Sequence, residues 1–400
     1  MKIYLVGGAV RDELLGVDNQ DRDWVVVGAT PSQLIAQGYH QVGKDFPIFL
    51  HPKTREEYAL ATGPNQRWNT TVTLEEDLQR RDLSMNAIAK TEHGQYIDPF
   101  NGRRDIKLKI IRHINDATFQ QDPIRILRVA RFTARYHHQG FVVAEETIQL
   151  MQRMVKAGQL DQWIAERIWA ETNKALLAPN PDQFFLTLRQ CHALRKILPA
   201  VDKLFGIPQS PNHHPEIDTG IHTMMVLQQA CHLSDAGAVR FAALLHDVGK
   251  SATSQAYWPQ HPGHEIAGET LVEQLCQQIK PPNEYIQLAK MAARYHTDIH
   301  RLANLSAEDI IVLLEKLDAF RRPTRFHQLV SVCMADCRGR IGYEQAPYPQ
   351  TATLKSWLKD LQQIDLKSVV EQSDKFDIQA NIRRKRVLHL QHIMARPTQN

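Results

Sequence analysis

The sequence contains no apolar run near the ~18–20 residues a membrane-spanning helix needs. Its start, Lys2-Ile3-Tyr4-Leu5-Val6, stops at Gly7-Gly8 and turns charged at Arg11-Asp12-Glu13, so neither a signal peptide nor a membrane span is expected. Cysteine is scarce: five residues (Cys191, Cys231, Cys276, Cys333, Cys337), an odd number, with no CxxC spacing. They are too few to staple a chain of 400 residues or to build a zinc ribbon, and reduced thiols in the cytoplasm fit best. A strong charge of one sign is missing too, since 48 Lys and Arg stand against 44 Asp and Glu. What matters is therefore where the basic residues sit. With 43% hydrophobic and 23% charged residues, a mostly disordered or collagen-like chain is excluded, and the length calls for more than one core.

The patterning changes character along the chain. Up to about residue 95 strand and helix signals alternate: Lys2–Val6 reads as a strand, Ala9–Leu15 as a short helix, Trp24–Gly28 as a strand, and Pro31–Gln37 as a helix capped by Thr30. Phe46–His51 and Glu57–Thr62 read as further strands. Thr73-Leu-Glu-Glu76 has the form of a capping box and predicts a helix through Arg80, Arg81 and Asp82 to about Lys90. From about residue 115 apolar residues recur at helical spacing, with breaks at 178–181, 206–212, 280–283 and 345–350. The expected class is α+β: a small mixed α/β head followed by a mostly helical remainder.

Asp21 and Asp23 flank Arg22 at the start of the predicted strand 24–28. Residues i and i+2 of a strand share a face, so these carboxylates can hold Mg²⁺ between them, as phosphoryl transfer often requires. Aspartate in a turn before a strand also serves simply as a cap. Gly7-Gly8 and Arg11 strengthen the metal reading, because glycines let backbone N–H groups approach an anion closely. Further on, nine Lys and Arg stand between residues 101 and 140 against three Asp, and Arg383-Arg-Lys-Arg386 adds a second basic cluster. Either can contact phosphates, or be a solvated helix face.

A second constellation is rich in histidine: nine of the 19 His lie within residues 211–300. His222, His246-Asp247-Val-Gly-Lys250 and Asp336 offer imidazole and carboxylate ligands from separate helices to one divalent metal. His264 and His296 are candidate outer ligands or phosphate contacts. His213, His214 and His300 are expected at the surface.

Val6-Gly-Gly-Ala-Val-Arg-Asp12, Asp21-Arg-Asp-Trp24 and Leu78-Gln-Arg-Arg-Asp-Leu-Ser-Met-Asn-Ala-Ile-Ala89 resemble the motifs of class II nucleotidyltransferases that build tRNA 3′ ends, above all the bacterial multifunctional CCA-adding enzymes. The His222, His246-Asp247 and Asp336 set resembles the HD phosphohydrolase domain. The resemblance spans nearly the whole chain, including Tyr39–Pro52. It implies a nucleotidyltransferase head over residues 1–95, a helical neck over 96–205, an HD domain over 206–340 and a helical tail over 341–400. It also implies that Asp21 and Asp23 are catalytic Mg²⁺ ligands and that Gly8, Arg11 and Arg81 contact the incoming nucleotide. Asp122 and Arg125 match the family's base-reading pair, and Arg128 and Arg131 its nucleotide contacts. A carboxylate and a guanidinium can together pair with cytosine or adenine but not with guanine or uracil.

The implied activity is untemplated addition of C, C and A from CTP and ATP to the tRNA 3′ end and acceptor stem. A metal-dependent phosphohydrolase accompanies it, acting on 2′,3′-cyclic phosphates, 2′-nucleotides and other phosphate esters, with Ni²⁺ among the candidate metals. A cytoplasmic monomer or homodimer is expected. Two departures bear on this: Gln121 stands where the family has Glu, and Thr62–Thr71 is shorter than the family's loop. A CC-only product, a poly(A) polymerase and an RNA-binding phosphohydrolase are the competing readings.

Overall fold

Lys2–Val6 forms strand β1 and Asp23–Val27 strand β2; they pair antiparallel with Val6 opposite Asp23. The register brings the Gly7-Gly8 turn that leaves β1 to the same end of the sheet as the Asp21–Asp23 segment that leads into β2. In this computed structural model, which describes residues 1–18, 21–42, 48–63, 67–211, 214–373 and 377–395, five more strands complete the sheet. They are β3 (His40–Val42), β4 (Ile48–Leu50), β5 (Glu57–Leu60), β6 (Ala89–Thr91) and β7 (Tyr96–Ile97), in the order β3-β4-β5-β2-β1-β6-β7. Within this sheet, among the described residues, only β2 and β5 pair parallel.

Period-two alternation along β2 sends Val25 into one apolar cluster, with Val6, Leu78, Ala87 and Ala89, and Val26 into another, with Leu34, Phe49 and Leu60. Each such side chain contributes about 1.5–3 kcal/mol when fully buried. Helices α1 (Gly8–Leu14), α2 (Pro31–Ala36) and α3 (Leu74–Gln79) accompany the strands, and the last two begin with the capping boxes Thr30/Gln33 and Thr73/Glu76.

The predicted helix to Lys90 ends at Gln79 instead. The Asp82 carboxylate accepts hydrogen bonds from the Leu83 amide and Asn86 Nδ2, both at 2.9 Å, and the Ser84 amide donates to Arg112 O. These contacts replace helical bonding, and the fully buried Ala87-Ile88-Ala89 run leads into β6. Side-chain competition of this kind, together with burial on both faces, overrides helix propensity.

The first compact unit, Met1–Lys196, continues with α4 (Gly102–Leu108), β8 (Ile110–Ile111), α5 (Asp116–Gln120), α6 (Arg125–Tyr136), β9 (Val142–Val143) parallel to β8, α7 (Glu145–Lys156), α8 (Ala165–Leu176) and α9 (Asp182–Gln190); α10 (Leu194–Ile197) marks its end. α6 buries Ile126, Leu127, Val129, Ala130 and Phe132 against α8 and α9, which leaves its arginines on the other flank.

The second unit, Ile197–Asn400, is helical throughout its described residues: α11 (Pro199–Asp202), α12 (Thr219–Leu233), α13 (Gly237–Leu245), α14 (His264–Ile279), α15 (Asn283–His300), α16 (Ala307–Lys316), α17 (Pro323–Arg338), α18 (Gln350–Gln362), α19 (Lys367–Gln372) and α20 (Ile378–Met394). α13 is buried along its whole length, surrounded by α12, α15 and α17. No helix among the described residues is long and apolar enough to cross a membrane.

A short 3₁₀ segment, Val248–Ala252, packs against α14 so closely that a Cβ on Gly249 would lie 1.8 Å from His264 O. Backbone cannot yield as a flexible side chain can. Gly249→Ala is therefore expected to destabilise the second unit by about 2–3 kcal/mol, read as a lower urea midpoint for that unit.

Candidate functional site

A cleft of about 590 Å³ in the first unit is lined by Gly7, Gly8, Arg11, Asp23, Arg81, Asp122, Arg125, Arg128 and Arg131 among others. Of the nucleotide-site residues expected from sequence, Asp21 alone is absent from the lining. It sits exposed just before β2, which begins at Asp23, so the shared-face argument for a strand does not apply to it. Its charge still reaches Asp23: burial raises the Asp23 pKa, Arg81 opposes this, and Asp21 raises it further. A carboxylate held up by desolvation and a like-charged neighbour favours a cation beside it, so the pair fits a divalent metal.

Gly7 has φ +70°, and a Cβ there would meet Arg81 Nη1 at 2.7 Å. Gly7 is thus the residue whose lack of a side chain admits Arg81, and Gly8 lines the cleft beside it.

The arginines are held by partners that the sequence did not reveal. Arg11 is buried, bonds Asp12 Oδ1 (2.8 Å) and Asn86 Oδ1 (2.6 Å), and lies over the rings of Phe132 and Tyr136. Asp12 also takes Arg135 and the Tyr136 hydroxyl. Arg128 pairs with Asp82 at 2.7 Å and Arg131 with Glu171 at 2.5 Å. Burial would raise the Asp82 pKa, but Arg128, Asn86 and Arg125 outweigh it and hold the carboxyl below its ordinary range. Arg125 donates to the carbonyls of Arg80 (2.7 Å), Thr118 (2.9 Å) and Arg81 (3.4 Å), which fix the plane of its guanidinium.

Asp122-Pro123 has the form of a helix start, yet Asp122 does not cap the helix. The helix starts at Arg125 instead; Asp122 Oδ1 accepts only the Ile124 amide at 3.3 Å, while Oδ2 pairs with Arg167 at 2.6 Å. A residue before proline is disfavoured in helical geometry, which sets Asp122 outside.

The second constellation converges in the second unit. His222 Nε2 lies 3.0 Å from Asp336 Oδ1 and 3.9 Å from Asp247 Oδ2; His246 Nε2 lies 3.3 Å from Asp247 and 3.6 Å from Asp336. His264 and His296 approach the other Asp247 oxygen at 3.5 and 3.4 Å. Lys250 Nζ bonds Asp247 Oδ2 at 2.6 Å and Gln209.

The buried atoms His246 Nε2, Asp247 Oδ1 and His264 Nε2 make no hydrogen bond despite these distances. Burial would lower the His246 pKa, but Asp247 and Asp336 outweigh it and push the imidazole up to about 10. Unsatisfied imidazole and carboxylate atoms aimed at one point are a donor set suited to a divalent metal. His214 and His300, expected at the surface, belong to this site. The His214 ring packs edge-on against His222, and His300 Nε2 lies 2.7 Å from Asp336. His213 falls outside the described residues. The spacing of His300 from His296, one helical turn on α15, was the signal available in sequence.

Fold and sites define a nucleotidyltransferase head joined in one chain to an HD-type metal site. The family model of the poly A polymerase head domain matches residues 3–112, that of the probable RNA and SrmB-binding site of polymerase A residues 140–205, and that of the HD domain residues 219–321. The multifunctional CCA protein of Teredinibacter turnerae is 51% identical over 94% of this chain and 93% of its own length; that of Hahella chejuensis is 50% identical over 93% and 90%. The chain belongs to the multifunctional CCA protein family, enzymes that unite tRNA nucleotidyltransferase and HD phosphohydrolase domains. The solved Thermotoga maritima CCA-adding enzyme complexed with tRNA_CCA shares the fold, with a TM-score of 0.66, 19% identity, and coverage of 98% of this chain and 91% of that one.

Removing one partner of the Asp82–Arg128 pair leaves a buried carboxylate uncompensated. Because Arg128 is partly exposed, Arg128→Met is expected to cost about 2 kcal/mol in urea unfolding rather than the larger figure for a fully buried pair. The double variant Asp82→Asn/Arg128→Met should recover part of that loss.

Proposed function

We propose that the arginine-lined cleft adds C, C and A in turn to the tRNA 3′ end, selecting CTP and ATP by side chains rather than by a nucleic-acid template. The observation that carries this reading is a single cleft that joins Asp23, the glycine turn and fixed guanidiniums. Asp21 and Asp23 would hold Mg²⁺, which supplies charge neutralisation of the triphosphate and of the developing alkoxide. Gly8, Arg11 and Arg81 bind the phosphates. Arg125, immobilised on three carbonyls, keeps its Nε–H and one Nη2–H for a base edge, and the Asp122 carboxylate accepts from the exocyclic amine that cytosine and adenine share. Arg128 and Arg131 contact the nucleotide from the same flank of α6.

The names of the two relatives, each matched over at least 90% of its length, favour the complete CCA product over a CC-only product or a poly(A) tail. The loop between Ala61 and Val72 is pinned at its base, where the Thr62 amide donates to Asp77 and Thr62 pairs with Trp68. Residues 64–66 of that loop lie outside the described residues. The solved relatives with ATP, CTP and tRNA support the same ligands here. The segment limits 1–95, 96–205, 206–340 and 341–400 and a cytoplasmic location complete this reading.

In the second unit, His222, His246, Asp247 and Asp336 would hold a divalent metal, with Ni²⁺ a candidate, for hydrolysis of 2′,3′-cyclic phosphates, 2′-nucleotides and simple phosphate esters. The metal would supply an activated water. His264 and His296 flank the phosphate.

The test is extension of tRNA lacking its 3′ end with labelled CTP and ATP, sized at single-nucleotide resolution. Addition of three nucleotides supports the proposal, and a stop after two contradicts it. Asp21→Ala or Asp23→Ala should abolish addition, leave tRNA binding within a few-fold and keep phosphohydrolase activity. His246→Ala with Asp247→Ala should do the reverse: lose phosphate-ester hydrolysis and retain addition. Loss of both activities in either variant would contradict the division of labour.

A further inference from the structure

Arg131 and Arg135 line the nucleotide cleft and also a second pocket beside it, of about 300 Å³, which Lys174, Leu177, Ala178 and Pro179 complete. No carboxylate is among the residues that line this second pocket. α6 supplies its arginines and α8 its lysine. The turn that follows α8 is tied back to α6, since the Asn180 amide donates to Ala134 O at 3.1 Å and Asn180 Oδ1 accepts from the His138 amide at 3.1 Å. The walls of the pocket are therefore fixed to one another.

Its charges do not balance. Glu171 neutralises Arg131 at 2.5 Å, but Asp12 is shared between Arg11 at 2.8 Å and Arg135 at 3.2 Å. One carboxylate between two guanidiniums leaves a positive charge over. Lys174 adds another, because it is exposed and makes no ion pair or hydrogen bond among the described residues. Arg135 is accessible as well: its guanidinium lies over the Tyr136 ring with 41% of the side chain exposed, and only Nη2 is bonded, to Asp12. Two surplus cations facing a concave, partly apolar surface are a site for a compact polyanion.

Resting on the nucleotide-addition reading above, we infer that this side pocket receives the pyrophosphate that each addition releases. α1 starts at Gly8, and Asp12, which holds Arg135, is one turn further along it. A triphosphate with its α-phosphate beside Asp23 and its outer phosphates along Gly7-Gly8 and Arg11 thus ends at Arg135. In the transfer step the tRNA 3′ oxygen bonds to the α-phosphorus and the bond from that phosphorus to the α,β-bridging oxygen breaks. The hydroxyl proton passes to solvent, and pyrophosphate leaves with the bridging oxygen. Arg135 and Lys174 then meet its oxygens, which draws the product away from Asp23 and clears the cleft for the next nucleotide.

Lys174→Ala removes one surplus charge at an exposed position on which the fold does not depend. The full-length chain is assayed with tRNA lacking its 3′ end, CTP and Mg²⁺, and the initial rate is measured against added sodium pyrophosphate. The inhibition constant for pyrophosphate should rise about three- to tenfold in Lys174→Ala, the range for one charge-assisted contact at a partly exposed site, and by more than KM for CTP or Kd for tRNA. Lys174→Arg should stay near the wild-type constant. The gap between wild type and Lys174→Ala should narrow as salt is raised.

An unchanged inhibition constant in Lys174→Ala would overturn the assignment. So would an equal rise in KM for CTP, which places Lys174 on the bound triphosphate, or weaker tRNA binding with pyrophosphate inhibition intact, which places it on RNA phosphates. Each of these leaves nucleotide addition standing. A wild-type chain that neither extends tRNA nor releases pyrophosphate would overturn both.

Discussion

Seven arginines line one cleft of the first unit, and positive charges so crowded repel one another unless each is neutralised where it stands. Asp12 holds Arg11 and Arg135, Asp77 holds Arg81, Asp82 holds Arg128, Glu171 holds Arg131, Asp122 holds Arg167, and three backbone carbonyls hold Arg125. These pairs run between α1, the segment after α3, α6 and α8, so the network that places the guanidiniums also joins the sheet to the helices behind it. The arrangement puts donors in position before a nucleotide arrives. In a partly dehydrated cleft such fixed donors cost little reorganisation when charge develops, which is the physical basis of electrostatic catalysis and of selection by side chains.

The second unit meets the same constraint with the opposite sign. Asp247 and Asp336 are buried among imidazoles, where burial alone would protonate them; His246, Lys250 and His300 keep both carboxyls well below the ordinary range. The balance leaves imidazole nitrogens and a carboxylate oxygen without hydrogen bonds. A divalent cation satisfies that donor set, and the tight fit of Gly249 against α14 holds Asp247 and His264 at the required separation.

Much of this was legible in sequence, and the reasons are local. The strands β1 and β2, the capped helices α2 and α3, and the helical character beyond residue 115 follow from period and capping chemistry carried within a few residues. The extent of α3 was not legible, because Asp82 interrupts it through bonds to Leu83 and Asn86 and because β6 forms only by pairing with β1. The two- and three-residue strands β3, β6 and β7 were missed for the same reason: their identity lies in long-range pairing. In the sites, residues with a motif at fixed spacing were found, whereas Asp12, Asn86, Arg135, Arg167 and Glu171 were not. Each acts through a partner between 40 and 124 positions away, and no local pattern announces such a contact. His300 was assigned to the surface because its one-turn spacing from His296 shows a shared helix face, while the partner that draws it into the site, Asp336, arrives only with α17.

The central claim, that side chains of the cleft choose the nucleotide, is tested most directly by measuring incorporation of all four nucleoside triphosphates into tRNA lacking its 3′ end, one at a time, by the wild-type chain and by Asp122→Ala and Arg125→Ala. The wild type is expected to accept CTP and then ATP and to reject UTP and GTP. Each variant is expected to lose on the order of tenfold in that discrimination, since a missing base-pairing group is worth about 1–3 kcal/mol. Variants that slow equally with every nucleotide and keep the wild-type preference would contradict the claim and reduce Asp122 and Arg125 to supports of the helix.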